Sequence, residues 1–418
     1  MSANVTRLDN GLTVASDRMS EVASVSLGVY VDVGTRHETR EANGVAHLLE
    51  HMAFKGTRRR SARAIAEEIE SVGGHLNAYT GREGTAYYAK LLADDAGLAL
   101  DILADILQHS VYDPEELARE RQVVLQEIGL AEDTPDDIVF DLYQETAFPD
   151  QPLGRPVLGR AEIVSRLGRD ALIAYQAENY GADRMVLAAA GRIEHDWLVA
   201  QAERLFADLP SRGETLPQPA RYAGGELIEG RQLEQAHLVL GFPGVAARDP
   251  RIYTAAVLST LLGGGMSSRL FQEVREKRGL VYSIYTFVSH FKDGGLFSIY
   301  AGTGESEAAE LMPVVAAELA KVSRAVEPGE VERAAAQVRA TLLMARESTG
   351  ARAEALAGQL ATFGRPLSTE EILSEVAAVD AESVRALAQE CFAGPPTLVA
   401  IGPIAEVEPL ERFARRLA

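Results

Sequence analysis

The sequence predicts an α+β fold of two homologous domains, each with a mostly antiparallel sheet flanked by helices. Three observations carry this. Helical patterns cluster between hairpin-like strands and do not alternate strictly with them, which argues against a doubly wound parallel sheet. A Pro-, Gly- and polar-rich stretch at 209–226 interrupts the periodic pattern near the midpoint of the 418 residues, as a linker does. The halves also resemble one another: Asp113-Pro114-Glu115-Glu116-Leu117 is answered 214 residues later by Glu327-Pro328-Gly329-Glu330-Val331. With 47% hydrophobic residues, two domains of about 200 residues can each bury a core. The expected division is 1–208, a linker over 209–226, and 227–418.

Taken in order, residues 22–33 and 86–92 read as strands, and 43–54, 62–72, 96–108 and 114–130 as helices. Gly73-Gly74 is a stop signal for the second helix. Asp113 before Pro114 reads as an N-cap with proline at the first helical position, and Leu117, Val124 and Ile128 mark that helix's apolar face. In the second half, 236–242, 281–288 and 296–300 read as strands, followed by a long helical stretch over 306–360.

The most informative stretch is His47-Leu48-Leu49-Glu50-His51. On a helix, His47 and His51 at i, i+4 project from one face toward a common point, a spacing suited to a small tetrahedral cation such as Zn²⁺. Glu50 lies beside them with a carboxylate free to accept a proton from an attacking water. This H-x-x-E-H order is a catalytic signature in its own right. The bland reading is a solvated polar stripe or a pair of half-buried histidines. Catalytic zinc usually takes a third protein ligand, and the helix at 114–130 offers Glu127, with Glu120 two turns earlier on the same face. Without context, each glutamate is an ordinary exposed helix residue.

H-x-x-E-H followed 76 residues after His51 by Glu127, with Glu120 between, resembles the inverted-zinc-motif peptidases typified by pitrilysin and insulysin. Within them the chain is most similar to the β-subunit of mitochondrial processing peptidase and its bacterial relatives. Gly73-Gly74-His75-Leu76-Asn77-Ala78-Tyr79-Thr80 with Thr85-Ala86-Tyr87-Tyr88 resembles the family's strand beside the metal. Leu262-Gly263-Gly264-Gly265-Met266-Ser267-Ser268-Arg269-Leu270-Phe271 and Arg275-Glu276-Lys277-Arg278-Gly279-Leu280-Val281-Tyr282 resemble its second-domain signature.

The resemblance implies two α/β-roll domains and one Zn²⁺ per chain, held by His47, His51 and Glu127, with Glu50 as base and Glu120 in support. It implies that Asn77, Ala78 and Tyr79 line an edge strand on which an extended peptide pairs, and that Arg275 and Tyr282 hold substrate and stabilise the oxyanion. The alternatives are that Asn77 bonds its own backbone, Arg275 pairs with Glu273 or Glu276, and Tyr282 is a half-buried core aromatic. At the 214-residue offset Glu120 falls on Ala334 and Glu127 on Thr341, so the second domain is expected to lack a metal site.

The implied activity is endopeptidase cleavage of unfolded or presequence-like peptides inside a closed chamber. This chain would supply half of that chamber, hence a homodimer or a heterodimer with an inactive homologue, with Arg275 and Tyr282 acting in trans. Two other readings are a catalytically silent assembly subunit and a hydrolase of a non-peptide substrate. The first would show a broken pentad. The second leaves the edge strand unexplained.

A net charge of −20 disfavours nucleic acid as a partner. Arg58-Arg59-Arg60, the one basic run, reads as a solvated helix start. Glu132, Asp133, Asp136 and Asp137 form an acidic cluster that either attracts basic peptides or caps a helix. Gly263-Gly264-Gly265 is not followed by G-K-[ST], so a phosphate loop is a poor reading. No apolar run approaches the roughly 18 residues of a membrane span. The absence of an export signal at Met1-Ser2-Ala3-Asn4 and a single cysteine, Cys391, lead to an expected cytoplasmic location.

Overall fold

Eleven strands and fifteen α-helices are found among the described residues, 3–213 and 217–417 of a computed structural model; residues 214–216 of the expected linker, Met1, Ser2 and Ala418 lie outside them. The chain begins with β1 (Asn4–Arg7), β2 (Thr13–Arg18) and β3 (Ser24–Val31), then α1 (Val45–Ala53) and α2 (Ala62–Ser71). A hairpin of β4 (His75–Thr80) and β5 (Thr85–Leu92) leads to α3 (Ala96–His109), α4 (Pro114–Glu132) and α5 (Pro135–Ala147). After α6 (Ala161–Val164) and α7 (Arg169–Asn179) come β6 (Met185–Gly191) and α8 (His195–Leu205). The second half runs β7 (Gly225–Gly230), β8 (Ala236–Pro243), α9 (Ile252–Gly263), β9 (Val281–Phe291) and β10 (Gly294–Thr303). It continues with α10 (Ala308–Arg324), α11 (Pro328–Ala345), α12 (Thr349–Phe363), α13 (Thr369–Ala377), α14 (Ala381–Ala393), β11 (Thr397–Gly402) and α15 (Leu410–Leu417).

The strands form two sheets, ordered β1-β2-β6-β3-β5-β4 and β7-β11-β8-β10-β9. Only β2 with β6 and β7 with β11 run parallel. Apart from the extra β1, the two orders are the same when β2 to β6 are matched in chain order with β7 to β11. The weak 214-residue repeat is therefore a repeat of topology: α1 and α9 each lie between the second and third matched strands, and α4 and α11 each lie between the fourth and fifth.

These elements form two compact units, one of residues 1–130, 155–218 and 344–368, the other of 131–154, 219–343 and 369–418. The division thus differs from a cut at 209–226 by two exchanged helices. In the first unit α12 lays Leu356, Ala357 and Leu360 on Ala15, Val186 and Ala188. It is tied there by Arg352, which donates to both oxygens of Asp17 at 2.6 and 2.7 Å, and by a 2.8 Å hydroxyl bond between Thr349 and Ser26. In the second, α5 packs Val139 and Tyr143 with Val239, Val399 and Ile401. A side chain at Gly241 would collide with the Tyr143 ring, its Cβ falling 1.8 Å from the phenol oxygen.

The opposite face of the first sheet carries the main core, where Val25, Leu27, Val29 and Val31 of β3 meet Leu48, Leu49 and Met52 of α1 and Leu100, Leu103 and Ile106 of α3. Each such side chain stabilises by about 1.5–3 kcal/mol when fully buried, which anchors α1, the helix of the H-x-x-E-H stretch, to the sheet.

Three expectations are corrected. The stretch 306–360 is three helices, broken at 325–327 and 346–348. β1, β2, β6, β7 and β11 were not anticipated; β6, Met-Val-Leu-Ala-Ala-Ala-Gly, is buried along its whole length, and a strand covered on both faces has no polar alternation to betray it. Arg59, though exposed, and Arg60 precede α2 not as a merely solvated start but as ion-paired groups. Arg60 bonds Asp101, Asp105 and Glu68 at 2.6–2.8 Å, and Arg59 bonds Asp101 and Asp105. Asp105 is fully buried, so these cations supply the counter-charge that its burial requires.

Candidate metal centre

Helix α1 begins at Gly44, whose φ of +98° is left-handed and whose Cβ, if present, would sit 2.7 Å from Val164 Cγ2; only glycine fits there. The orphan N–H groups of its first turn are met by a carboxylate from upstream. Glu38 accepts from Gly44 N at 2.9 Å, Ala46 N at 2.8 Å and the Asn43 amide at 2.9 Å. Burial pushes the Glu38 carboxyl up to about 7, against the downward pull of these donors and of Arg155. Helix α4 starts as anticipated, with the Asp113 carboxylate accepting from Glu115 N and Glu116 N. It buries Leu117, Glu120, Val124 and Ile128, so Glu120 is not the exposed residue that a lone glutamate suggests.

Between these helices, His47, His51 and Glu127 offer ligand atoms that all lie within 4.8 Å of one another, the one such group among the described residues. The Glu127 Oε2 is 3.5 Å from His51 Nε2 and 3.8 Å from His47 Nε2. Two ligands about 2.0–2.1 Å from a tetrahedral ion lie about 3.3–3.4 Å apart, so these separations suit one zinc with little adjustment. The Nδ1 of His47 is buried without a hydrogen-bond partner among the described residues. Burial, with a smaller contribution from His51, holds the His47 pKa down to about 4, which keeps the imidazole neutral, as a ligand must be. His51 Nδ1 lies 3.1 Å from Glu120 Oε2. Donation there leaves the Nε2 lone pair directed at the cluster. The donor set, two imidazoles and a carboxylate with an orienting second carboxylate, fits zinc.

Glu50 stands beside the cluster with Oε2 accepting from Thr80 Oγ1 at 2.6 Å, and no hydrogen bond to Oε1 is found among the described residues. Burial holds its carboxyl above the usual range, Thr80 and His51 pull it down, and Glu127 adds a smaller push upward. Thr80 belongs to β4, an edge strand paired only with β5. Along β4, Ala78 is buried against the core, whereas Asn77 and Tyr79 are exposed. Asn77 Oδ1 accepts from Ala78 N at 2.9 Å, the self-bonding alternative, and Tyr79 Oη donates to Glu354 Oε1 at 2.8 Å.

Arg275 and Tyr282 lie in the second unit. Arg275 sits in a π-helical turn (Phe271–Glu276), with its guanidinium carbon 4.9 Å from the Phe271 ring centre and 5.5 Å from that of Tyr282. Glu273 instead pairs with Lys277 and Arg278. In the β9–β10 ladder, Gly302 faces Ser283 and Thr303 faces Val281, so Tyr282 is the extra residue of a bulge. Bulges re-aim side chains, and Tyr282 is 78% exposed, not a half-buried core aromatic. Glu38, Thr80 and Lys55, whose ammonium lies 2.8 Å from Glu120 Oε1, were not foreseen as parts of the site. Thr80 alone had a signal: strand alternation puts it two residues from Ala78 on the face toward α1.

The zinc-ligand geometry invites comparison with known proteins. The family model described as insulinase (peptidase family M16) matches residues 13–161, and that of the M16 inactive domain matches 166–338. A zinc protease of Rickettsia bellii is 41% identical over 401 residues, covering 96% of this chain and 97% of its own. The chain belongs to peptidase family M16. A Bacillus subtilis zinc protease, YmxG, is 39% identical over 94% of this M16 chain and 97% of its own. A probable β-subunit of the Arabidopsis thaliana mitochondrial-processing peptidase is 39% identical over 99% and 80%. A solved Helicobacter pylori protease superposes with a TM-score of 0.88 at 20% identity, covering 96% of this chain and 99% of that one, which supports the fold. This M16 chain is a zinc metallopeptidase, and zinc is its cofactor. No helix among the described residues is long and apolar enough to cross a membrane.

Proposed function

We propose that the chain is an endopeptidase for extended, unfolded peptides, with His47, His51 and Glu127 as zinc ligands and Glu50 as the general base. The observation that carries this reading is the convergence of the three ligand atoms beside a buried Glu50 and an edge strand. Zinc, when bound, supplies Lewis acidity to the scissile carbonyl and to the attacking water. Glu50 Oε1 takes the proton of that water and passes it to the leaving amine, while Thr80 holds Oε2 and fixes the carboxylate plane. The peptide adds as a strand to β4 between Asn77 and Tyr79, with Asn77 releasing the Ala78 amide that it occupies here. Arg275 and Tyr282 serve the oxyanion and the peptide backbone.

Glu50→Gln tests the chemistry. Cleavage of a quenched-fluorescent peptide of a dozen residues should fall at least about 10²-fold with zinc content unchanged. Turnover of small esters that survives in Glu50→Gln, with no peptide cleavage by wild type, would favour the non-peptide alternative. The relation to a processing-peptidase β-subunit supports assembly into a dimer, with itself or with an inactive homologue. Mixing Glu50→Gln with Tyr282→Phe subunits should restore cleavage if Arg275 and Tyr282 act in trans; a verified mixed dimer without activity excludes it.

A further inference from the structure

We infer that Lys55 is a positioning residue for the metal centre, acting through Glu120. Lys55 leaves the C-terminal end of α1 and is followed by Gly56, whose φ of +116° turns the chain away. Its ammonium lies 2.8 Å from Glu120 Oε1, while His51 Nδ1 takes Glu120 Oε2 at 3.1 Å. Glu120 is 6% exposed, and Lys55 is its one lysine or arginine partner among the described residues. No other ion pair or side-chain hydrogen bond of Lys55 is found among the described residues.

Two consequences follow from this geometry. With each oxygen already engaged, by Lys55 and by His51, Glu120 is less available to an ion than Glu127, which presents Oε2 to both histidines. Pinning Oε1 also sets the rotation of the carboxylate, so Oε2 meets His51 Nδ1 and directs Nε2 at the metal position. Among the described residues Lys55 makes no ion pair or side-chain hydrogen bond to His47, His51 or Glu127, so its polar route to the metal position runs through Glu120.

The inference rests on the reading of His47, His51 and Glu127 as the zinc ligands. Its test is a double-mutant cycle on zinc affinity, measured in the full chain by competition with a chromophoric chelator and followed by circular dichroism to verify folding. Lys55→Met should weaken zinc binding about 10–100-fold, the range for losing an outer-shell partner, and shift the visible absorption of the Co²⁺-loaded protein. In a Glu120→Gln background the same substitution should change affinity less than about twofold, because the route of its action is gone. Lys55→Arg, which keeps the charge, should recover most of the affinity; if Lys55→Met does not fold, Lys55→Arg and Lys55→Gln carry the cycle. Equal losses in both backgrounds, or full affinity in Lys55→Met where Glu120→Gln is weak, would overturn the role of Lys55 while leaving the ligand assignment standing. Wild type that binds no zinc at this cluster would sink the ligand reading itself.

Discussion

At the scale of single residues, the centre is a set of polar groups whose burial is compensated one by one. Glu120 has Lys55 and His51, Glu50 has Thr80, and Glu38 has the first turn of α1. His47 is the exception: its Nδ1 is buried without a hydrogen-bond partner among the described residues, while its Nε2 faces Glu127. Glu38→Gln turns an amide N–H₂ toward backbone N–H donors and should cost about 1–3 kcal/mol, read as a lower urea midpoint. The pH dependence has a definite sign. Burial raises the Glu38 pKa from 4.5 to about 7, with Arg155 and the Tyr175 phenol as its charged and titratable neighbours. Between those values the folded chain holds a proton that the unfolded chain has released, so this contribution is full below about 4.5 and lost as pH rises through about 7. The stability of wild type relative to Glu38→Gln should therefore fall over that interval; a rise or a flat difference would show that the N–H donors outweigh burial.

At the scale of elements, what the sequence made legible was local. His47, Glu50 and His51 share one helix, and the Asp113-Pro114 cap with the Leu117, Val124 and Ile128 face placed Glu120 and Glu127 together, so the site could be assembled from two helices. The contacts of Lys55, Thr80 and Glu38 join segments that no periodicity links. The alanine-rich β6 is silent for another reason, being buried on both faces. Nor does an amphipathic pattern say which sheet a helix covers: α5 and α12 each belong to the unit that the expected division did not give them. The Asp17–Arg352 pair that ties α12 down is buried on both sides. Asp17→Asn, which removes the negative charge facing Arg352 and, at 3.6 Å, Arg346, should destabilise the first unit by about 3–5 kcal/mol. Replacing both residues with apolar ones of similar volume should recover much of that loss in a denaturant titration. Equal losses in the single and double variants would show that the pair is not the tie.

At the scale of the whole molecule, a duplicated topology carries the zinc cluster in one copy and, among the described residues, no such cluster in the other. The first copy holds the ligand helix, the base and an edge strand; the second contributes the aromatic-stacked Arg275 and the exposed Tyr282. The function proposed above assigns the metal chemistry to the first repeat and substrate holding to the second. The most direct test is anomalous diffraction at the zinc edge from crystals of the Glu50→Gln protein. The account requires one peak per chain, about 2.1 Å from the Nε2 atoms of His47 and His51 and from a Glu127 oxygen, with Glu120 outside the coordination sphere. A peak bound by Glu120 in place of Glu127, or no peak there after zinc loading, would contradict it.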